Sequence, residues 1–135
     1  MGLMGKVKIG AAGLAVWLGL VLIMLAVTAA AESPGKLTKV VYLTATKVCA
    51  CTLRGYQEAD SVVDGAFAGS RRGLLRRIDI STDMVSAEPY IVKYKLNITR
   101  IPALLFLDAQ DNLLWSAEKT MKGDEITKKL GELGQ

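Results

Sequence analysis

The stretch Lys93-Tyr94-Lys95-Leu96-Asn97-Ile98-Thr99-Arg100-Ile101-Pro102-Ala103-Leu104-Leu105-Phe106-Leu107 decides the fold. Its last five residues form an unbroken apolar run, the pattern of a central strand covered on both faces, since a strand with one wet face alternates. Pro102 leads that run, and a strand's first residue is one of the few places in a sheet that tolerate a proline. Asp108 to Asn112 is then a polar turn, and Leu113-Leu114-Trp115 returns as the second arm of a hairpin.

Working outward, the spacing predicts a helix from about Val85 to Lys95, with Pro89 in its first turn or at a displaced start. Ser81, Thr82 and Asp83 supply turn and cap chemistry before it, and Leu74 to Ile80 reads as a strand. Lys39-Val40-Val41-Tyr42-Leu43-Thr44, short and rich in β-branched and aromatic residues, is another buried strand. Between these strands, Leu53, Tyr56, Ala59, Val62, Val63, Ala66 and Phe67 recur every three or four residues, the stripe of an amphipathic helix from Thr52 to about Phe67 that Gly69 stops. Gly123 to Leu133 closes the chain as a helix, with Asp124 and Glu125 where the helix dipole favours acids. The order is β-α-β-α-β-β-α: an α/β domain with a central mixed sheet and flanking helices, without internal repeats.

Ile9 to Ala31 is 23 residues without a formal charge, preceded by Lys6 and Lys8 and followed by Glu32. Residues 1–31 are expected to act as a signal peptide ending in the small residues Ala29 and Ala31, or as an uncleaved transmembrane helix about 30 Å long. Both readings keep the lysines cytoplasmic and send the remainder across the membrane, so the expected location is exported, periplasmic or extracytoplasmic. Residues 32–36 form a linker and residues 37–135 a single domain. Excluding the two leading lysines, fifteen basic residues stand against thirteen acidic ones, and no nucleic-acid partner is expected. Arg71, Arg72, Arg76 and Arg77 form a basic cluster suited to an acidic partner or lipid headgroups, although such runs are usually just solvated. The chain has no histidine, which removes His-dependent triads and the commonest metal ligand.

With Cys49 and Cys51 at the junction of the first strand and helix, and Ile101-Pro102 leading a hydrophobic strand, the chain resembles the thioredoxin-like superfamily over roughly residues 37 to 133. The resemblance implies a cis Ile101–Pro102 bond facing the cysteines, and a backbone edge at Ile101 free to pair with an extended substrate. It implies thiol:disulfide exchange by Cys49 and Cys51, as an oxidoreductase or isomerase without a cofactor, with protein thiols or disulfides as substrates and a redox partner that recycles the pair. The motif departs from the family: Val48-Cys49-Ala50-Cys51 is C-x-C where thioredoxins carry C-x-x-C. A gapless comparison puts Cys51 at the family's second cysteine, sliding by one makes Cys49 the attacking sulfur, and Cys49 is favoured. The tryptophan usual before the motif is missing, and Tyr42 stands where the gapless comparison expects a buried carboxylate.

From the residues themselves, a thiolate near a helix N-terminus is favoured by unpaired backbone N–H groups, and Lys47 adds a nearby positive charge unless it is simply a solvated loop lysine. Closing a disulfide around one residue strains it, which favours an oxidant or isomerase. Two alternatives stay open. As thiolates, Cys49 and Cys51 suit carriage of a soft metal or metalloid ion, and the domain also reads as a non-catalytic interaction module. A purely structural staple gains little, because so short a loop barely constrains the unfolded chain.

Overall fold

A computed structural model describes residues 35–135. The apolar run of residues 9–31 and the first part of the linker lie outside the described residues. Among the described residues, no helix is long and apolar enough to cross a membrane.

Strand β1 spans Lys39–Thr44, β2 Leu75–Asp79, β3 Ala103–Leu107 and β4 Leu113–Glu118; helix α1 spans Ala50–Ala66, α2 Met84–Lys93 and α3 Gly123–Glu132. The order along the chain is the one the periodicity predicts, with two short 3-10 turns added, Gly69–Leu74 and Ile98–Arg100. The four strands form one mixed sheet in the order β2-β1-β3-β4. β1 runs parallel to β2 and antiparallel to β3, and β3 is antiparallel to β4.

This order explains the patterning. The inner strand β3 is buried along its whole length and β1 at every position but the first, so both read as unbroken apolar runs. β2 is an edge, where Arg76 and Arg77 stay exposed and only Ile78 is buried. Charges on an edge also deter pairing with another chain.

Alternation divides the core between the two faces. Val40, Tyr42, Leu104 and Phe106 meet Ala59, Val63 and Phe67 of the α1 region and Ile126 and Leu130 of α3. Phe106 packs edge-to-face on Phe67 and on Trp115, with ring centres 6.2 and 5.0 Å apart. Val41, Leu43, Ala103, Leu105 and Leu107 face the other way, onto Ala87 of α2 and the partly buried Tyr90 and Ile91.

α2 departs from expectation at both ends. Asp83 caps it by accepting a hydrogen bond from the Ser86 N–H at 3.2 Å, so the helix begins at Met84 and Pro89 falls in the second turn, not the first. Pro89 has no N–H for the Val85 carbonyl four residues back, and it sits on a part of the helix where Val85 is 82% exposed. The helix stops at Lys93 because Lys95 turns left-handed, at φ 52°, and the Leu96 N–H folds back onto the Ile91 carbonyl at 2.9 Å.

Candidate functional site

The parallel strands β1 and β2 end together, Thr44 opposite Asp79, and β3 begins beside them. The crevice beyond strand ends of this kind is where open α/β sheets place ligands. Asp79 organises it. Its carboxylate accepts from the Thr46 N–H at 3.2 Å, the Thr46 hydroxyl and the Ser81 N–H at 2.9 Å, while the Lys47 N–H donates to the Ser81 hydroxyl at 3.1 Å. Burial works to raise the Asp79 carboxyl, but these bonds outweigh it and hold the group below the ordinary carboxylate value.

The loop fixed in this way delivers Cys49 to the N-cap of α1. The sulfurs of Cys49 and Cys51 lie at disulfide-bonding distance, with Cα atoms 5.4 Å apart, and both residues are exposed. The Cys49 carbonyl accepts the N–H groups of Thr52 and Leu53 at 3.0 and 3.1 Å and starts the helix, while its side chain makes no capping bond. The first turn of α1 itself holds no acid to offset the positive end of the helix dipole at the sulfurs. The Thr52 hydroxyl stands 3.3 Å from Cys49 Sγ and 3.1 Å from the Cys49 carbonyl oxygen. Lys47 is an exposed loop residue.

Cys51, not Cys49, lines the adjoining groove. This open cleft of about 330 Å³ is formed by Val48, Cys51, Thr52, Gly55 and Tyr56 on one side and by Ile98, Thr99, Ile101, Pro102 and Lys119 on the other. The Ile101–Pro102 bond is cis. Half of the free edge expected at Ile101 is occupied, because its N–H donates to the Ile98 carbonyl at 3.3 Å and closes the 3-10 turn. The Pro102 carbonyl accepts the N–H of Lys119 at 2.7 Å, where Lys119 is left-handed at φ 68°.

Beneath the site, between β1 and α1, Asp60 accepts hydrogen bonds from the Tyr42 and Thr44 hydroxyls, each at 2.8 Å. Burial first, and the bond to Asp60 second, push the Tyr42 phenol far above its ordinary value.

The sequence reading missed Thr52, Tyr56, Ile98, Thr99 and Lys119 as groove residues. Tyr56 showed only as a member of an apolar stripe; in place it is half-buried, and burial raises its phenol. Lys119 has no sequence signal at all, since its placement depends on the β4 register. Among the described residues, no group of three or more Cys, Asp or Glu side chains converges where a metal would sit. No protein-family model, curated protein or solved structure matches this chain.

Proposed function

We propose that residues 37–135 form a thioredoxin-like domain that carries out thiol:disulfide exchange through Cys49 and Cys51, on the far side of the membrane engaged by residues 1–31. The observation that carries this reading is the vicinity of the pair to Pro102: Cys51 and a cis proline line one groove at the carboxyl end of the sheet, with Cys49 at a helix N-terminus. No cofactor enters the chemistry.

In the oxidising direction, a thiolate of a protein substrate lying in the groove attacks the Cys51 sulfur. A mixed disulfide forms on Cys51, and the Cys49 sulfur leaves as a thiolate, stabilised by the helix end and by the Thr52 hydroxyl. A second substrate thiolate then attacks the substrate sulfur of that mixed disulfide and expels the Cys51 thiolate. Two electrons pass to the pair as the substrate disulfide forms, each thiolate takes up a proton from water as its intrinsic acidity dictates, and a redox partner reverses the sequence to recycle the pair. In the reducing direction Cys51 attacks first and Cys49 resolves. This assignment moves the first attack from Cys49 to Cys51, because Cys51 is the sulfur that borders the groove.

Equilibrating the full chain with glutathione buffers tests the proposal. A dithiol–disulfide equilibrium that is abolished by Cys49→Ser is expected, and its absence in the wild type refutes exchange. Reduced protein that binds Cu(I) or arsenite without turning over disulfides establishes soft-ion carriage by Cys49 and Cys51 instead.

A further inference from the structure

At the opposite end of the sheet β1 begins at Lys39, opposite Leu107 where β3 ends, and β2 begins opposite Val40. The chain enters the domain at this end. Gly35 packs so closely on the β3–β4 hairpin that a Cβ there would stand 2.6 Å from Leu114 Cδ2 and 2.9 Å from Asp108 Oδ2. The Leu37 carbonyl accepts from the Gln135 side chain at 3.4 Å, and the Gln135 carbonyl accepts from Arg71 at 3.0 Å. The basic 3-10 turn Gly69–Leu74, with its exposed Arg72, therefore sits beside the entry point.

The charges at this end do not balance. With Arg71 engaged by the Gln135 backbone oxygen, Lys36, Lys39, Arg72 and Lys93 stand at this end with two carboxylates, Asp108 and Asp111. Asp108 is bonded within its own turn to the N–H groups of Gln110 and Asn112, each at 2.9 Å, and Asp111 is paired with Lys39 at 2.6 Å. Both carboxyls are held below their ordinary value, Asp108 chiefly by the Asn112 N–H and Asp111 chiefly by Lys39, so both count as full negative charges. Two further acids of the described residues are paired with cations of their own, Glu132 with Lys129 at 2.9 Å and Asp64 with Arg77. An excess of cation remains.

Only residues 32–36 separate Leu37 from the apolar run, and five extended residues reach about 17 Å. We propose that this basic end docks on the anionic lipid headgroups of the membrane from which the chain emerges. The six residues of β1 span roughly 20 Å, so the docked domain presents Cys49 and Cys51 away from the lipid, toward soluble partners. The inference rests on the reading of residues 1–31 as a retained anchor, and it is independent of what the sulfurs do.

The test is lysine footprinting by acetylation and mass spectrometry of the full chain in bilayer discs of phosphatidylcholine, with and without phosphatidylglycerol. Anionic lipid is expected to slow acetylation of Lys39 and Lys93 about fivefold, to leave Lys47 and Lys119 at the cysteine end unchanged, and to lose its effect in high salt. The protection should also vanish in Lys36→Glu/Arg72→Glu, both exposed positions whose replacement leaves the core intact. Equal rates in the two lipids, or equal protection of Lys47 and Lys119, overturn the docking. So does native protein whose first residue lies near Glu32. A glutathione titration in the same discs reports the redox reading separately, so either proposal can fail while the other stands.

Discussion

Thr52→Val should make the reduction potential of the cysteine pair about 20 mV more negative. The Thr52 hydroxyl has one proton and two acceptors in reach, the Cys49 carbonyl oxygen at 3.1 Å and Cys49 Sγ at 3.3 Å. In the disulfide the sulfur is the weaker acceptor and the carbonyl takes the proton. Once Cys49 is a thiolate, the sulfur competes with a full negative charge. A hydrogen bond to a charged group contributes about 1.5–3 kcal/mol and a neutral one about 1 kcal/mol. The difference, discounted because Cys49 and Thr52 are both exposed, leaves about 1 kcal/mol in favour of the reduced form. For a two-electron couple about 1.4 kcal/mol corresponds to 30 mV, which gives the stated shift. Removing a group that stabilises the reduced state lowers the potential, so the sign is fixed. Valine keeps the shape of the threonine, and Thr52→Ser, which keeps the hydroxyl, should restore the wild-type potential. The assay is equilibration with graded glutathione ratios, followed by alkylation and counting of free thiols. A potential that does not move, or moves upward, while the variant remains folded refutes the role given to Thr52.

Cys49→Ser should accumulate a covalent complex with substrate proteins on non-reducing gels, because Cys51 borders the groove and its resolving sulfur is gone; Cys51→Ser should not, and the reverse pattern returns the first attack to Cys49. Tyr42→Phe removes one of the two hydroxyls that Asp60 accepts from, and should cost about 1.5–3 kcal/mol in urea unfolding. The same variant should flatten the alkaline limb of stability. A phenol raised in the fold contributes stability that is complete below its unfolded value, near pH 10, and is lost as pH rises from there toward the folded value, a decline that phenylalanine lacks. Gly55→Ala, in the interior of α1 where a Cβ meets nothing within 4 Å, should raise stability by about 0.5–1 kcal/mol, and an unchanged urea midpoint would count against the helical freedom assigned to Gly55.

The strands and helices were legible because their residues answer to local rules. The unbroken run Ala103–Leu107 needs both faces covered, and the sheet order supplies that. The stripe from Leu53 to Phe67 needs one apolar face, and α1 lays it on the sheet. What could not be read are the contacts that join distant segments. The clamp between Thr46 and Asp79 joins residues 33 apart, and nothing in Thr46 announces it. Which cysteine borders the groove turns on where α1 begins. Reading its start at Thr52 leaves both cysteines in a loop, whereas the observed start at Ala50 makes Cys49 the cap and places Cys51 on the first turn. Sequence patterns fix helix ends only to within a residue or two, which here is the whole separation of the pair. Pro89 departs from expectation for a related reason, since proline prefers a first turn yet here stands in the second, four residues after the exposed Val85.

The position of Asp60 shows how the core would support the proposed exchange without joining it. Asp60 stands nine positions after Cys51 in the helix, about 13 Å along the axis, too far for its charge to act on the sulfurs as a hydrogen-bond partner. Tyr42 stands where the resemblance expects a buried carboxylate, and its hydroxyl instead reaches across to a carboxylate on the neighbouring helix. Because Thr44 at the end of β1 donates to the same oxygen, Asp60 ties α1 to the last turn of chain before the cysteine loop. Asp79 ties that loop to β2 from the other side. Between the two clamps Thr44, Thr46 and Lys47 are each held by hydrogen bonds, and the N-cap position of Cys49 follows. In a chain with no histidine to tune a thiol, such placement matters more, because the charge-stabilising groups left at Cys49 are the helix end and one hydroxyl, and both act only over a few ångströms.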